Sequence, residues 1–368
     1  MTGVLPSPRI GAPGIYYRVP PTPPALEAER MHVCAFVGVA PRGPARWPGP
    51  GEPALAQPVA VESWGEYRRL YGGFEGPGLL PYAVAAFFEN GGRRAYVVRV
   101  VHDYRRLDGT VDSDAIGRLV ATARLENLAV ATPGGPGEVW LRARSEGRWG
   151  NDLTATLGFV VRPLALPRME PQALLLPLRH ELTAGAVIRV TGPGAARELR
   201  RVTRLEEEWE GPGRSTRRVR ARLDQPIAPP DVRGLELVEG ELTIDDGAGR
   251  LEHFTALGLS PSHHRWLAAV LTAESELLLP AANPQLPAGD PRATWAEGRE
   301  LALDPELRPC AAGPFRAPGG QLAGDGYREI DHRDFIAPDW VPGDDAAARG
   351  IHALVGLADL SLLAVPDL

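Results

Sequence analysis

The chain is 368 residues long, room for two or three domains with sizeable cores, so no disulfide or metal staple is needed to fold it. With 42 glycines and 38 prolines beside 44% hydrophobic residues, it reads as globular and rich in turns rather than disordered. The net charge of −6 argues against a protein that coats nucleic acid and favours one that contacts other proteins.

All 40 basic residues are arginine. The absence of lysine, most simply a codon bias, removes P-loop lysine, Schiff-base and lysine-nucleophile chemistry. No charged segment followed by an apolar one opens the chain, and no apolar run approaches the roughly 18 residues of a membrane-spanning helix. Cys34 and Cys310 stand far apart in no metal-ligand spacing, which predicts a reduced, cytoplasmic fold.

Residues 1–30 read as an extended arm. Prolines at 6, 8, 13, 20, 21, 23 and 24 forbid helix, while Ile15, Tyr17 and Val19 alternate in a strand with no local partner. The segment 31–124 then predicts the first part of an α/β domain. The nearly continuous apolar run 33–39 implies a strand buried on both faces. Ser63 and Glu66 form a capping-box pattern for a helix stopped by Gly72-Gly73, and Pro81 opens a second helix that ends at Gly91-Gly92. Residues 94–101 read as another buried strand, completing an α/β signature.

From 125 to 250 the pattern changes to short strands between Gly/Pro turns, at 139–144, 153–161, 186–190, 219–223 and 235–244. That spacing predicts an antiparallel β-sandwich inserted into the α/β unit. Residues 251–368 are expected to return to the α/β domain. Ser260-Pro261 predicts a helix start, Asp331 a cap for a short turn, 345–357 a helix and 361–365 a final buried strand.

No nucleophile elbow, zinc-protease helix, paired C-x-x-C or dinucleotide-binding glycine motif is present in the sequence. His263 and His264 are adjacent, so on a helix they point about 100° apart and read as first-turn surface residues beside Trp266. The run Asp331-His332-Arg333-Asp334 resembles acid/base chemistry but sits where a cap is expected. Arg218, Arg220 and Arg222 alternate with Val219, Ala221 and Leu223, predicting an arginine face over an apolar one, with Glu206, Glu207 and Glu208 opposing phosphate binding. The expectation is a protein that is not an enzyme, with no cofactor and no metal.

Several segments together resemble the contractile tail sheath proteins of phages and phage-derived contractile injection systems. Pro13-Gly14-Ile15-Tyr16 resembles the P-G-V/I-Y opening of the sheath arm. Ala35-Phe36-Val37-Gly38 with Gly43-Pro44 resembles the A-F-V-G-x-A-x-x-G-P strand. Ser63-Trp64-Gly65-Glu66-Tyr67, Tyr71-Gly72-Gly73-Phe74 and the stretch 87–100, through Asn90-Gly91-Gly92-Arg93-Arg94-Ala95-Tyr96-Val97, carry the most specific likeness. Gly147-Arg148-Trp149-Gly150-Asn151, Glu252-His253-Phe254 with Ser260-Pro261 and Glu274-Ser275, and finally Gly350–Leu354 with 362–366, continue it in order.

The resemblance implies an α/β core of subtilisin-like topology, incomplete at its C-terminus, that carries the inserted sandwich and the arm. It implies a structural subunit that polymerises as stacked hexameric rings around an inner tube and contracts to drive that tube through a target envelope. Its partners are then neighbouring sheath subunits, the inner tube and the baseplate and cap proteins, with no nucleic acid and no membrane insertion. Gly14, Ile15, Tyr16, Tyr17, Arg18 and Val19 are the expected inter-subunit strand. The implied location is the cytoplasm during assembly and then the virion tail or injection particle. A non-polymerising cap or baseplate adaptor, and a hydrolase or carbohydrate-binding α/β protein, are the alternative readings.

Overall fold

The computed structural model describes residues 33–47, 54–55, 58–104, 112–132, 134–193, 197–210, 216–287, 290, 292–338, 340–343 and 348–368. The expected arm, with Gly14 to Val19, lies outside the described residues.

In chain order the first elements are strands β1 (Val33–Gly38), β2 (Arg46–Trp47), β3 (Ala54–Leu55) and β4 (Val59–Val61). Helices α1 (Trp64–Tyr71) and α2 (Leu80–Glu89), strand β5 (Arg94–Arg99) and helix α3 (Ser113–Gly117) follow. Then come β6 (Thr122–Thr132), β7 (Gly135–Ala143), β8 (Thr154–Leu164), β9 (Arg168–Glu170), β10 (Ala173–Leu176), β11 (Val187–Thr191), β12 (Arg197–Glu210), β13 (Thr216–Leu223), β14 (Gly234–Asp245) and β15 (Leu251–Leu257). The chain continues through α4 (Leu267–Glu274), β16 (Leu278–Ala281), β17 (Leu301–Ala302), β18 (Cys310–Ala311), α5 (His332–Ile336) and β19 (Leu362–Ala364). The fold is mixed α/β and mostly sheet.

One four-stranded sheet has the order β19-β1-β5-β4, with β1 parallel to both neighbours and β4 antiparallel on β5. Successive strand residues point to opposite faces, so an unbroken apolar run must be covered twice. Cys34 and Phe36 pack with Tyr67, Tyr71, Leu80 and Val84 of α1 and α2. Ala35 and Val37 face the other way, toward Phe335 and Leu354. Ser63 caps α1 by accepting the Glu66 N–H at 3.1 Å, and the Glu66 carboxylate returns to the Glu62 N–H at 2.8 Å. Gly72, at φ 88°, ends that helix in a conformation that favours glycine.

Among the described residues the named strands of the β-rich unit all pair antiparallel, and one isolated parallel bridge joins Gly258 to Trp266. Its large sheet runs β18-β8-β14-β11-β12-β13-β10-β9, with β15 also on β14, and a smaller sheet runs β16-β7-β6-β17. Between them lies a core containing Leu125, Val139, Leu141, Leu157, Leu242, Trp266, Trp295 and Phe315. Trp295 is fully buried, and its indole N–H donates to the Trp140 carbonyl at 2.7 Å. Leu174, Ile188, Val202, Ala221 and Leu235 form a second core on the far half of the large sheet.

That half is rolled. β8 and β9 stand six places apart in the sheet order but are joined by residues 165–167 alone. At about 4.8 Å per strand a flat sheet separates them by about 29 Å, whereas four residue steps span at most about 14 Å. The strands therefore curl into an open barrel.

Several expectations change. The β-rich unit does not close at residue 250, because its core continues through Leu257, Leu271, Trp295, Phe315 and Ala323, and the chain rejoins the first sheet only with Tyr327, Ile330 and Phe335. The helix expected from Ser260-Pro261 starts at Leu267 instead, after a turn in which the His263 N–H donates to the Ser260 carbonyl. Within the described part of the helix expected over 345–357, residues 348–357, there is a 3-10 turn, Gly350–Leu354, entered through Gly350 at φ 55°, a left-handed conformation that α-helix cannot continue through. Among the described residues the final strand is an edge, not a buried centre: Leu362 and Leu363 are 42% and 45% exposed.

Both cysteines are free and buried, and burial pushes each thiol up to about 11. Ellman's reagent at neutral pH is therefore expected to label the folded protein slowly and both thiols at once in denaturant. Prompt labelling of the native protein would contradict this.

Candidate functional site

The residues singled out for acid/base chemistry are structural. Asp331 caps α5 by accepting the Arg333 N–H at 2.7 Å. The Asp334 carboxylate closes the box on the Asp331 N–H at 2.9 Å, accepts the Asp103 N–H at 3.0 Å and lies 3.0 Å from His102 Nδ1. Those contacts hold α5 against the chain leaving β5. His263 is not the surface residue expected. It is 7% exposed, its Nδ1 accepts the Arg265 N–H at 3.1 Å, and its ring stacks on His264 at 4.5 Å. Desolvation holds its pKa below the usual histidine value. Among the described residues no three His, Cys, Asp or Glu side chains group as metal ligands.

The arginine run finds carboxylates on the facing strand β12 and on β9. Arg220 binds Glu208 and Glu170, Arg222 binds Glu206 and Arg217 binds Glu207, while Val219, Ala221 and Leu223 turn inward. A cation ladder neutralised in this way offers little to phosphate.

What the fold does bring together is a junction between the two units. At the end of β5, Arg99 is 3% exposed and donates to three carbonyls: Ala40 at 2.9 Å, Gly43 at 2.8 Å and Glu146 at 3.0 Å. Its planar fork ties the loop after β1 to the loop after β7. Desolvation lowers its pKa, with the Glu146 charge opposing that shift. The Gly43 N–H adds a bond to Ser145 Oγ at 3.1 Å, and the Asn151 amide exchanges two bonds with the Ala323 backbone, at 3.1 and 2.8 Å.

Beside it Arg42 reaches across to Asp246 at 2.5 Å, with its guanidinium 6.0 Å from the Trp149 ring centre. Asp246 also accepts the N–H groups of Ala248 and Arg250, at 2.8 and 2.9 Å. Arg69 of α1 binds Glu276, which Arg250 also holds.

Arg42 and Asp246 line a cleft of about 1000 Å³ whose walls include Trp64, Phe74, Trp149 and Tyr327. A ladder of rings runs outward from the core through Tyr71, Tyr67, Trp64, Phe74 and Tyr82 with centres 4.6–5.2 Å apart. Its outer members Phe74 and Tyr82 are 48% and 52% exposed. The second open feature is β19, whose outer edge has no strand partner among the described residues. An exposed aromatic patch and a sheet edge without a strand partner among the described residues are features to which another chain can add.

Sequence reasoning missed Arg99, Arg42 and Asp246. The available signal was a lone charge inside the buried run Val97-Val98-Arg99-Val100-Val101, which only non-local carbonyls satisfy. No family model matches the chain, and no curated protein matches its sequence. Among the described residues no helix is long and apolar enough to cross a membrane.

Proposed function

We propose that the protein is a structural subunit of a contractile tail sheath, built on an α/β core of subtilisin-like topology with an inserted β-rich unit. One observation carries the reading. Sheath-like segments spread along the chain converge on one junction: Arg42-Gly43 after β1, Arg99 at the end of β5, and Ser145 through Asn151 after β7. A junction held by a buried arginine and a buried ion pair makes the two units move as one body. Contraction needs such bodies, because the stored energy is released by repacking between subunits rather than by bending within them.

The partners on this reading are neighbouring copies, the inner tube and the baseplate and cap proteins. The arm residues Gly14 to Val19 supply a strand to a neighbour, and the free edge at β19 and the patch at Phe74 and Tyr82 are the surfaces for lattice contacts. Deleting residues 1–24 is expected to abolish ordered sheaths while leaving a folded subunit. Normal tubes in negative-stain electron microscopy would overturn the proposal.

A further inference from the structure

The cleft at the junction is open, and among the described residues nothing covers its aromatic wall. Trp64, Phe74, Trp149 and Tyr327 line it, with Phe74 exposed and the other three half-buried. Beside the cleft the apolar surface continues through Leu79 and Tyr82, both exposed, with the Tyr82 ring centre 4.6 Å from that of Phe74. Contiguous exposed rings of this kind mark a place where something binds.

The charges at the cleft disfavour a ligand of one sign. Arg42 and Asp246 hold each other, and Arg68 and Arg148 stand with Glu75, Asp152 and Asp325. The rest of the wall includes Pro41, Gly72, Gly73, Gly76 and Pro77. Such a surface suits a run of apolar rings that brings no charge of its own. The sequence holds one in Pro20-Pro21-Thr22-Pro23-Pro24. Four prolines in five residues fix φ near −65° and favour the polyproline II helix, which packs its rings into aromatic-lined grooves at little ordering cost.

That run is tethered within reach of the cleft. β1 starts at Val33, and its far end leads through Ala40 into Pro41 on the cleft wall. Val33 and Pro41 are eight residues apart, so at most about 28 Å separates them, while the nine residues from Pro24 to Val33 span up to about 31 Å. A short tether holds a segment at about millimolar effective concentration, so modest ring-on-ring contacts suffice. We propose that Pro20 to Pro24 lie in the cleft of their own subunit, packed on Trp64, Phe74 and Trp149. The docking does not depend on the sheath reading, and it leaves Gly14 to Val19 beyond the cleft.

Photo-crosslinking of the intact protein tests this, with p-benzoylphenylalanine placed at Arg148, an exposed position on the cleft wall. The expected product has the mass of one chain, with the adduct mapped by mass spectrometry to residues 20–24. Phe74→Ala, also at an exposed position, is expected to weaken docking and to raise tryptic cleavage after Arg18 about ten-fold, since cleavage follows the undocked fraction. Cleavage after Arg9, farther along the sequence from the docked prolines, is expected to stay unchanged. An adduct of two-chain mass would give the cleft to a neighbouring copy and overturn the proposal. Absence of any adduct within 20–24 would overturn it too, as would cleavage after Arg18 that Phe74→Ala raises no more than cleavage after Arg9.

Discussion

Replacing Arg99 with methionine is expected to destabilise the protein by about 3–5 kcal/mol, because methionine keeps the volume of the stem and strands the three carbonyls of Ala40, Gly43 and Glu146. Each buried acceptor left without a donor costs about 1–3 kcal/mol, and relief of the buried guanidinium's own desolvation offsets part of that sum. The loss has a location as well as a size. Those carbonyls lie on both sides of the junction, so the variant uncouples the α/β sheet from the β-rich unit. Urea unfolding followed by circular dichroism is expected to pass from one transition to two, with hydrogen exchange rising first at residues 40–43 and 146–147. Arg99→Lys is expected to restore only part of the loss, since a single ammonium does not match three carbonyls set around a planar fork. A variant that unfolds in one transition at the original midpoint would refute the role.

How much of this was legible follows from where each contact is made. β1 and β5 are read directly, because a strand covered on both faces leaves an unbroken apolar run, and α1 announces itself through Ser63, Glu66 and Gly72. The hairpin strands of the insert are likewise marked by their turns. The true extent of the β-rich unit is hidden, because β17 and β18 are two residues each and exist only by pairing with β6 and β8, more than a hundred residues earlier in the chain. Gly350 looks like an ordinary helix residue in sequence, and only its φ of 55° against the Phe335 carbonyl shows why no α-helix runs through it. Pattern reading finds what a segment does alone, and the junction is made by segments meeting.

The Arg42–Asp246 pair joins the same two units through charge, so its loss is expected to depend on pH. Asp246 is 4% exposed. Burial alone raises its pKa, but the Arg42 hydrogen bond and the N–H groups of Arg250 and Ala248 outweigh burial and hold it below the usual carboxylate value. A carboxylate depressed in the folded state contributes stability that is fully present above its unfolded pKa, about 3.9, and is lost as pH falls toward the lower folded value. In Arg42→Met the balance reverses, since a buried carboxylate without its cation prefers to be neutral and its pKa rises. Near neutral pH the variant carries an uncompensated buried charge softened by two backbone hydrogen bonds, at a cost of about 2–4 kcal/mol. As pH falls toward about 3, the wild type loses its advantage while protonation relieves the variant, so the gap between their urea midpoints is expected to narrow steadily. A gap of constant size across that range would mean that Arg42 stabilises the junction by packing on Trp149 rather than by its charge.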